Sequence, residues 1–256
     1  MKRILKICLT AVLFSLYRVM DPWFRFSEVS ILAYHSISDA PLDTAVTPEI
    51  FRAHLSRLKS SGYSFVSLND VVAHQGGAPL PRKAVTLTFD DGYADFESVA
   101  LPILDEFDAP ATVFVVGDEM RARSALGNTL PLLNADALAR VRAQPHINIG
   151  YHSCTHVNLG KLSGSALEDE VRAPFVARYF AYPGGNYSAE AVDVVRVAGY
   201  DAAFSIKRDL VRRGKNRWLL PRIVVLKNDD EKDVVRYVSM VQHWYAMFRS
   251  LIKKYV

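Results

Sequence analysis

An α/β fold, either a (β/α) barrel or a doubly wound sheet, is predicted by three observations. Eight short β-rich runs alternate with amphipathic stretches along a chain of 256 residues. Most of these runs are near-continuously apolar, as parallel strands covered on both faces are. Half of the residues are hydrophobic, enough to fill a substantial core. In chain order the strands are expected at 29–35, 64–68, 84–89, 111–117, 147–152, 179–183, 202–206 and 221–226. Between the first two, PEIFRAHLSRLKSSG reads as a helix stopped by Gly62. YADFESVALPILDEF and SAEAVDVVRVAGY read as helices of the same kind.

The two ends of the chain have a different composition. Residues 1–28 begin basic (Lys2, Arg3, Lys6) and continue into an apolar run from Ile7 to Tyr17, like the start of a signal peptide. No small-residue cleavage site follows, and the run is short for a span of roughly 20 residues. An uncleaved anchor, a helix in the membrane interface and a helix packed on the domain are the three readings, with membrane association placed first. At the other end, residues 231–256 form an amphipathic stripe of Val234, Val238, Val241, Trp244, Phe248 and Ile252. That stripe is expected to pack on the central domain of residues 29–230 or to meet a membrane surface. Net charge is +4, and no Lys/Arg run interleaved with aromatics marks the middle of the chain, so nucleic acid is not expected as a partner. Two cysteines, Cys8 and Cys154, make no disulfide framework.

Three motifs follow predicted strand ends, where a barrel gathers its functional groups. The first is Asp90-Asp91-Gly92 after AVTLTF. It is also ordinary turn chemistry, yet adjacent carboxylates repel unless a cation or proton relieves them. The second is HSCTH, His152 to His156. A spacing of four is expected to bring both imidazoles to one face of a helical turn, with Cys154 pointing away as a packed residue. One aspartate and two histidines with open positions suit a Zn2+-like ion. The third is YFAYPGGNY, where Tyr182, Pro183 and Gly184 form either a plain turn or a close backbone approach to substrate, with an N–H available to an oxyanion.

LTFDDG, HSCTH and FAYPGGNY, in this order, resemble the signature motifs of the NodB-type polysaccharide deacetylases, carbohydrate esterase family 4. ILAYHSIS and the stretch at 51–63 look like the YHxI/FAYP branch of that family. The resemblance covers about residues 29–226. It implies a distorted (β/α) barrel of about seven strands, here flanked by N- and C-terminal helices. It also implies removal of N-acetyl groups from an acetylated amino-sugar glycan with one divalent metal ion, usually zinc. Carried over, Asp90 is the base, Asp91, His152 and His156 are the metal ligands, and Gly184 is the oxyanion donor. Two departures stand out. Ala181 occupies a position where many members have an arginine, and no late Leu-x-His follows residue 200. Arg222 is expected to supply the guanidinium. His35, closing the first strand, is expected to supply the acid. Deformylation, O-acetyl ester hydrolysis and a carbohydrate-binding pseudoenzyme are the alternatives on the same scaffold.

Overall fold

The computed structural model describes residues 28–127 and 130–239. The expected N-terminal helix and the C-terminal stripe beyond residue 239 lie outside them. Eight parallel strands form one sheet: β1 (Val29–Tyr34), β2 (Ser64–Phe65), β3 (Ala84–Phe89), β4 (Ala111–Val115), β5 (Ile147–Tyr151), β6 (Tyr179–Ala181), β7 (Ala202–Phe204) and β8 (Ile223–Val224). Their order is β7-β6-β5-β4-β3-β1-β8, with β2 paired to the start of β3. A single parallel bridge from Phe204 to Leu220, two residues before Arg222, ties the far edge back to the chain entering β8. The sheet is thus a distorted (β/α) barrel, narrowly joined at this seam.

The pattern of burial explains the strands. β1, β3 and β4 are buried at every position, which is why they read as unbroken apolar runs. Alternate residues Ile31, Phe114, Tyr179, Ala181, Phe204 and Leu220 fill the inside of the barrel. Their neighbours Leu32, Tyr34, Leu87 and Phe89 meet Phe51, Leu55 and Phe96 from the helical layer. Glycine is required at Gly150, because a Cβ there would lie 2.4 Å from the Phe114 ring.

Strand and helix ends follow local chemistry. β2 stops after two residues because Ser67 caps the next helix, Leu68–Gln75, in a reciprocal capping box with Asp70. The helix Pro48–Ser60 starts with Thr47 as cap and proline in its first turn, and Gly62 follows it at φ 81°. The stretch after β3 is a π-helical turn, Phe96–Ala100, running into the short helix Leu101–Glu106. Pro102 lacks the N–H that a regular helix would use there, and the wider turn precedes it. The last described helix, Glu231–Val238, buries Val234 and Val238 in the same cluster as Phe51 and Leu55.

Candidate active site

The site is assembled at the C-terminal ends of β1, β3, β5 and β6, with Arg222 reaching it from just before β8. Side chains alternate along a strand, so successive aspartates should face opposite ways. Asp91 avoids this by adopting φ 72°, which folds the chain back immediately after the strand. As a result both carboxylates face the same imidazole. His152 Nε2 lies 3.9 Å from Asp90 Oδ2 and 3.5 Å from Asp91 Oδ1. His156 Nε2 lies 3.2 Å from the same Asp91 oxygen. Asp90 and Asp91 are both buried, at 3 % and 4 % exposure.

The two histidines converge, but not through a helical turn as the spacing suggested. The loop after β5 is irregular, and Ser153 (φ 64°) and His156 (φ 57°) are both left-handed. Backbone strain of this kind persists only where surrounding groups fix it. Here the His156 N–H donates to Ser153 Oγ at 3.0 Å. Glu170 accepts from the Thr155 N–H at 2.9 Å and from the Thr155 hydroxyl at 2.6 Å. The Glu170 carbonyl takes the Cys154 N–H. Cys154 is half-buried and outside the ligand group.

Asp91, His152 and His156 offer donor atoms that all lie within 4.8 Å of one another. Asp91 Oδ1 suits a metal, since it is buried and makes no well-directed hydrogen bond although two imidazole nitrogens approach it. Those approaches bracket the edge of about 3.3 Å expected between donors on a tetrahedral ion with bonds of about 2.05 Å. His152 is held ready for such a role. Its Nδ1 lies 2.8 Å from the Ala181 carbonyl, an acceptor only, so Nδ1 carries the proton and Nε2 keeps a lone pair. Burial lowers the His152 pKa to about 4, which keeps the ring neutral at ordinary pH. Burial also pulls His156 down, but the Asp91 carboxylate outweighs it and the net direction is up.

Asp90 sits in different surroundings. Arg222, wholly buried, reaches it with two parallel bonds, Nη1 to Oδ1 at 2.6 Å and Nη2 to Oδ2 at 2.7 Å. The guanidinium also donates to Thr88 Oγ1 at 3.2 Å and to the Ser205 carbonyl at 3.3 Å. It lies over the Phe114 ring, 5.2 Å from its centroid, and Gly150 leaves the room which that ring occupies. Burial alone would raise the Asp90 pKa, but Arg222 and then His152 overcome it and hold the carboxyl well below the usual range. Arg222 enters from beside β8, whereas Ala181, fully buried on β6, brings no charge to the site.

The remaining expected residues divide. His35 follows β1 and favours the ionised form of both aspartates, and its buried Nδ1 has no hydrogen-bond partner. Asp95 fixes the loop that carries it, accepting from Ser36 Oγ at 2.6 Å and the Ile37 N–H at 3.1 Å. Gly184 is exposed at φ 56° in the turn Pro183–Gly185. Gly185 and Asn186 spend their N–H groups on the Tyr182 and Pro183 carbonyls, whereas the first N–H of such a turn has no partner within it. Tyr182 is fully buried, and its hydroxyl donates to the Trp218 carbonyl at 3.1 Å, so its side chain packs the wall and only its backbone adjoins the turn. Pro183 is buried as the start of the turn. Glu170, Thr88 and Asp95 were not foreseen, because each acts across long sequence separations. A groove of about 980 Å³ between the helices Gly164–Val171 and Ala189–Val197 contains none of these residues.

Comparison with known proteins bears on the family and the fold. Residues 77–203 match the family model described as polysaccharide deacetylase. Poly-beta-1,6-N-acetyl-D-glucosamine N-deacetylase of Escherichia coli K12 is 24% identical over 270 residues, covering 87% of this chain. The chain spans only 40% of that relative's length. In fold, the Streptococcus pyogenes deacetylase PplD in complex with acetate superposes with a TM-score of 0.71 at 24% identity, covering 83% of this chain and 98% of that one. IcaB from Ammonifex degensii gives 0.69 at 21% identity, covering 84% and 98%. With the DDG, HSCTH and PGG motifs gathered at one end of this barrel, the chain carries a polysaccharide deacetylase domain of the NodB type.

Proposed function

We propose that the protein is a metal-dependent hydrolase that removes N-acetyl groups from an acetylated glucosamine polymer. The observation that carries this reading is the pairing of two environments in one cavity. Asp91, His152 and His156 converge as a ligand set, and Asp90 beside them is held by Arg222 instead. A ligand set without a separate, oriented carboxylate would suit binding alone. The donors, one carboxylate and two imidazoles, favour zinc.

A divalent ion bound there would supply Lewis acidity to the acetyl carbonyl and to water. The chain's own groups do the rest. Asp90, kept ionised and fixed in orientation by Arg222, takes a proton from the attacking water. The Gly184 N–H faces the oxygen that gains negative charge as the new C–O bond forms. His35 gives a proton to the sugar nitrogen as the C–N bond breaks, leaving acetate and an amine. The Arg222 pair lowers the basicity of Asp90 but removes its competition for a proton, so the same residue stays anionic across the neutral range.

The test is acetate release from N-acetylglucosamine oligomers by the zinc-loaded protein. Release that is lost in Asp90→Asn at equal metal content supports the reading. Full metal loading with no release from acetylated oligomers contradicts it.

A further inference from the structure

The end of the barrel opposite the site carries an unusual charge. The loop Lys207–Arg217, between β7 and the seam at Leu220, holds six lysines and arginines against one aspartate. The loop descends to the starting end of β1, where Val211 and Val29 exchange backbone hydrogen bonds of 2.9 and 3.1 Å. Gln75, closing the helix Leu68–Gln75, donates to the Arg212 carbonyl at 2.9 Å. Arg213 caps the neighbouring carbonyl of Gly77 at 2.8 Å. Arg213 and Arg217 are exposed.

Both ends of the described chain leave at this base. Glu28 precedes β1 and pairs with Arg212. Val238, at the end of the last helix, accepts a hydrogen bond from Ser30 at 3.4 Å. The sequences continuing outward share the loop's charge. Residues 1–27 contain five lysines and arginines against one acid, and 240–256 contain three against none. The rest of the chain holds 17 basic residues against 25 acidic ones. Among the described residues this loop carries its positive charge down towards the base, and the sequences that continue from residues 28 and 239 add basic residues together with apolar and aromatic ones. A polar nucleic acid would use the charge but not that apolar content. An anionic bilayer uses both.

We propose that this base docks on an anionic lipid surface. β1 is six residues long, so the carboxylates stand roughly 17–20 Å above the contact and open away from the membrane. The inference does not depend on the proposed reaction.

The experiment is co-sedimentation of the full chain with phosphatidylglycerol-containing vesicles and with pure phosphatidylcholine vesicles at about 0.1 M salt. The expected result is binding to the anionic vesicles only. One basic residue near such a surface is worth roughly a fivefold change, so Arg213→Glu/Arg217→Glu should weaken partitioning by about 25-fold or more. Should the pair fail to fold, Arg217→Glu alone is read at about fivefold. Lys161→Glu, an exposed charge in the loop beyond the histidines, should change nothing. Equal binding to both vesicle types overturns the proposal. So does wild-type partitioning by the arginine variants, an equal loss in Lys161→Glu, or binding to a soluble polyanion without vesicle sedimentation.

Discussion

Replacing Arg222 by methionine tests the buried pair most sharply. Arg222 has no exposed surface and Asp90 is 3 % exposed, so neither can turn to water when the other is removed. Two bonds of 2.6 and 2.7 Å disappear, and the Thr88 hydroxyl and Ser205 carbonyl lose a donor. Breaking a buried pair from one side costs about 3–5 kcal/mol, because the partner is left as an uncompensated charge. For a domain of this size that corresponds to a fall in Tm of roughly 6–20 °C. The pH dependence has a definite sign. In the wild type the folded pKa of Asp90 is depressed, so its contribution is present above the ordinary carboxylate pKa and is lost as pH falls towards the folded value. In Arg222→Met the strongest opposition to burial is gone and that pKa moves up, with only the nearby histidines still acting against it, so the variant's deficit grows from acid towards neutral pH. Urea denaturation of the metal-free proteins at pH 4 and pH 7 reads this directly. A deficit below about 1 kcal/mol, or one equal at both pH values, would refute the reasoning.

Other expectations follow from the same geometry. Zinc affinity should fall below neutral pH, and binding should release protons from His156, whose pKa is raised, increasingly as pH falls, and none from His152, already neutral above about pH 4; calorimetry in buffers of different ionisation enthalpy measures it. His35→Ala should retain metal and lose about 10²–10⁴ in kcat, and unchanged turnover would remove His35 from the mechanism. Glu170→Ala should weaken zinc binding about 10–100-fold by releasing Thr155 and the left-handed loop, with Glu170→Gln intermediate, as equilibrium dialysis would show.

The strands were legible because burial on both faces leaves little but apolar residues, and their ends were overestimated where caps such as Ser67 intervene. The strand-end rule brought Asp90, Asp91, His152 and His156 to one place. It could not supply the backbone that does so. A spacing of four reads as a helical turn, whereas Ser153 and His156 reach the same convergence through positive φ, held by Glu170 from another element. Arg222 did leave a local trace, since a charged residue inside LLPRIVV must find a partner once buried. The burial of the Tyr182 side chain was not legible, because nothing local in YFAYPGGNY says which face of the strand end meets the Trp218 carbonyl.

The central claim is a hydrolase built on a ligand set and a separately held base. Acetate release from N-acetylglucosamine oligomers, measured beside bound zinc for the wild type and Asp90→Asn, addresses it most directly. The account predicts equal zinc in both proteins and release reduced at least about 10²-fold in the variant. Equal release by both, or none from the zinc-loaded wild type, would contradict it.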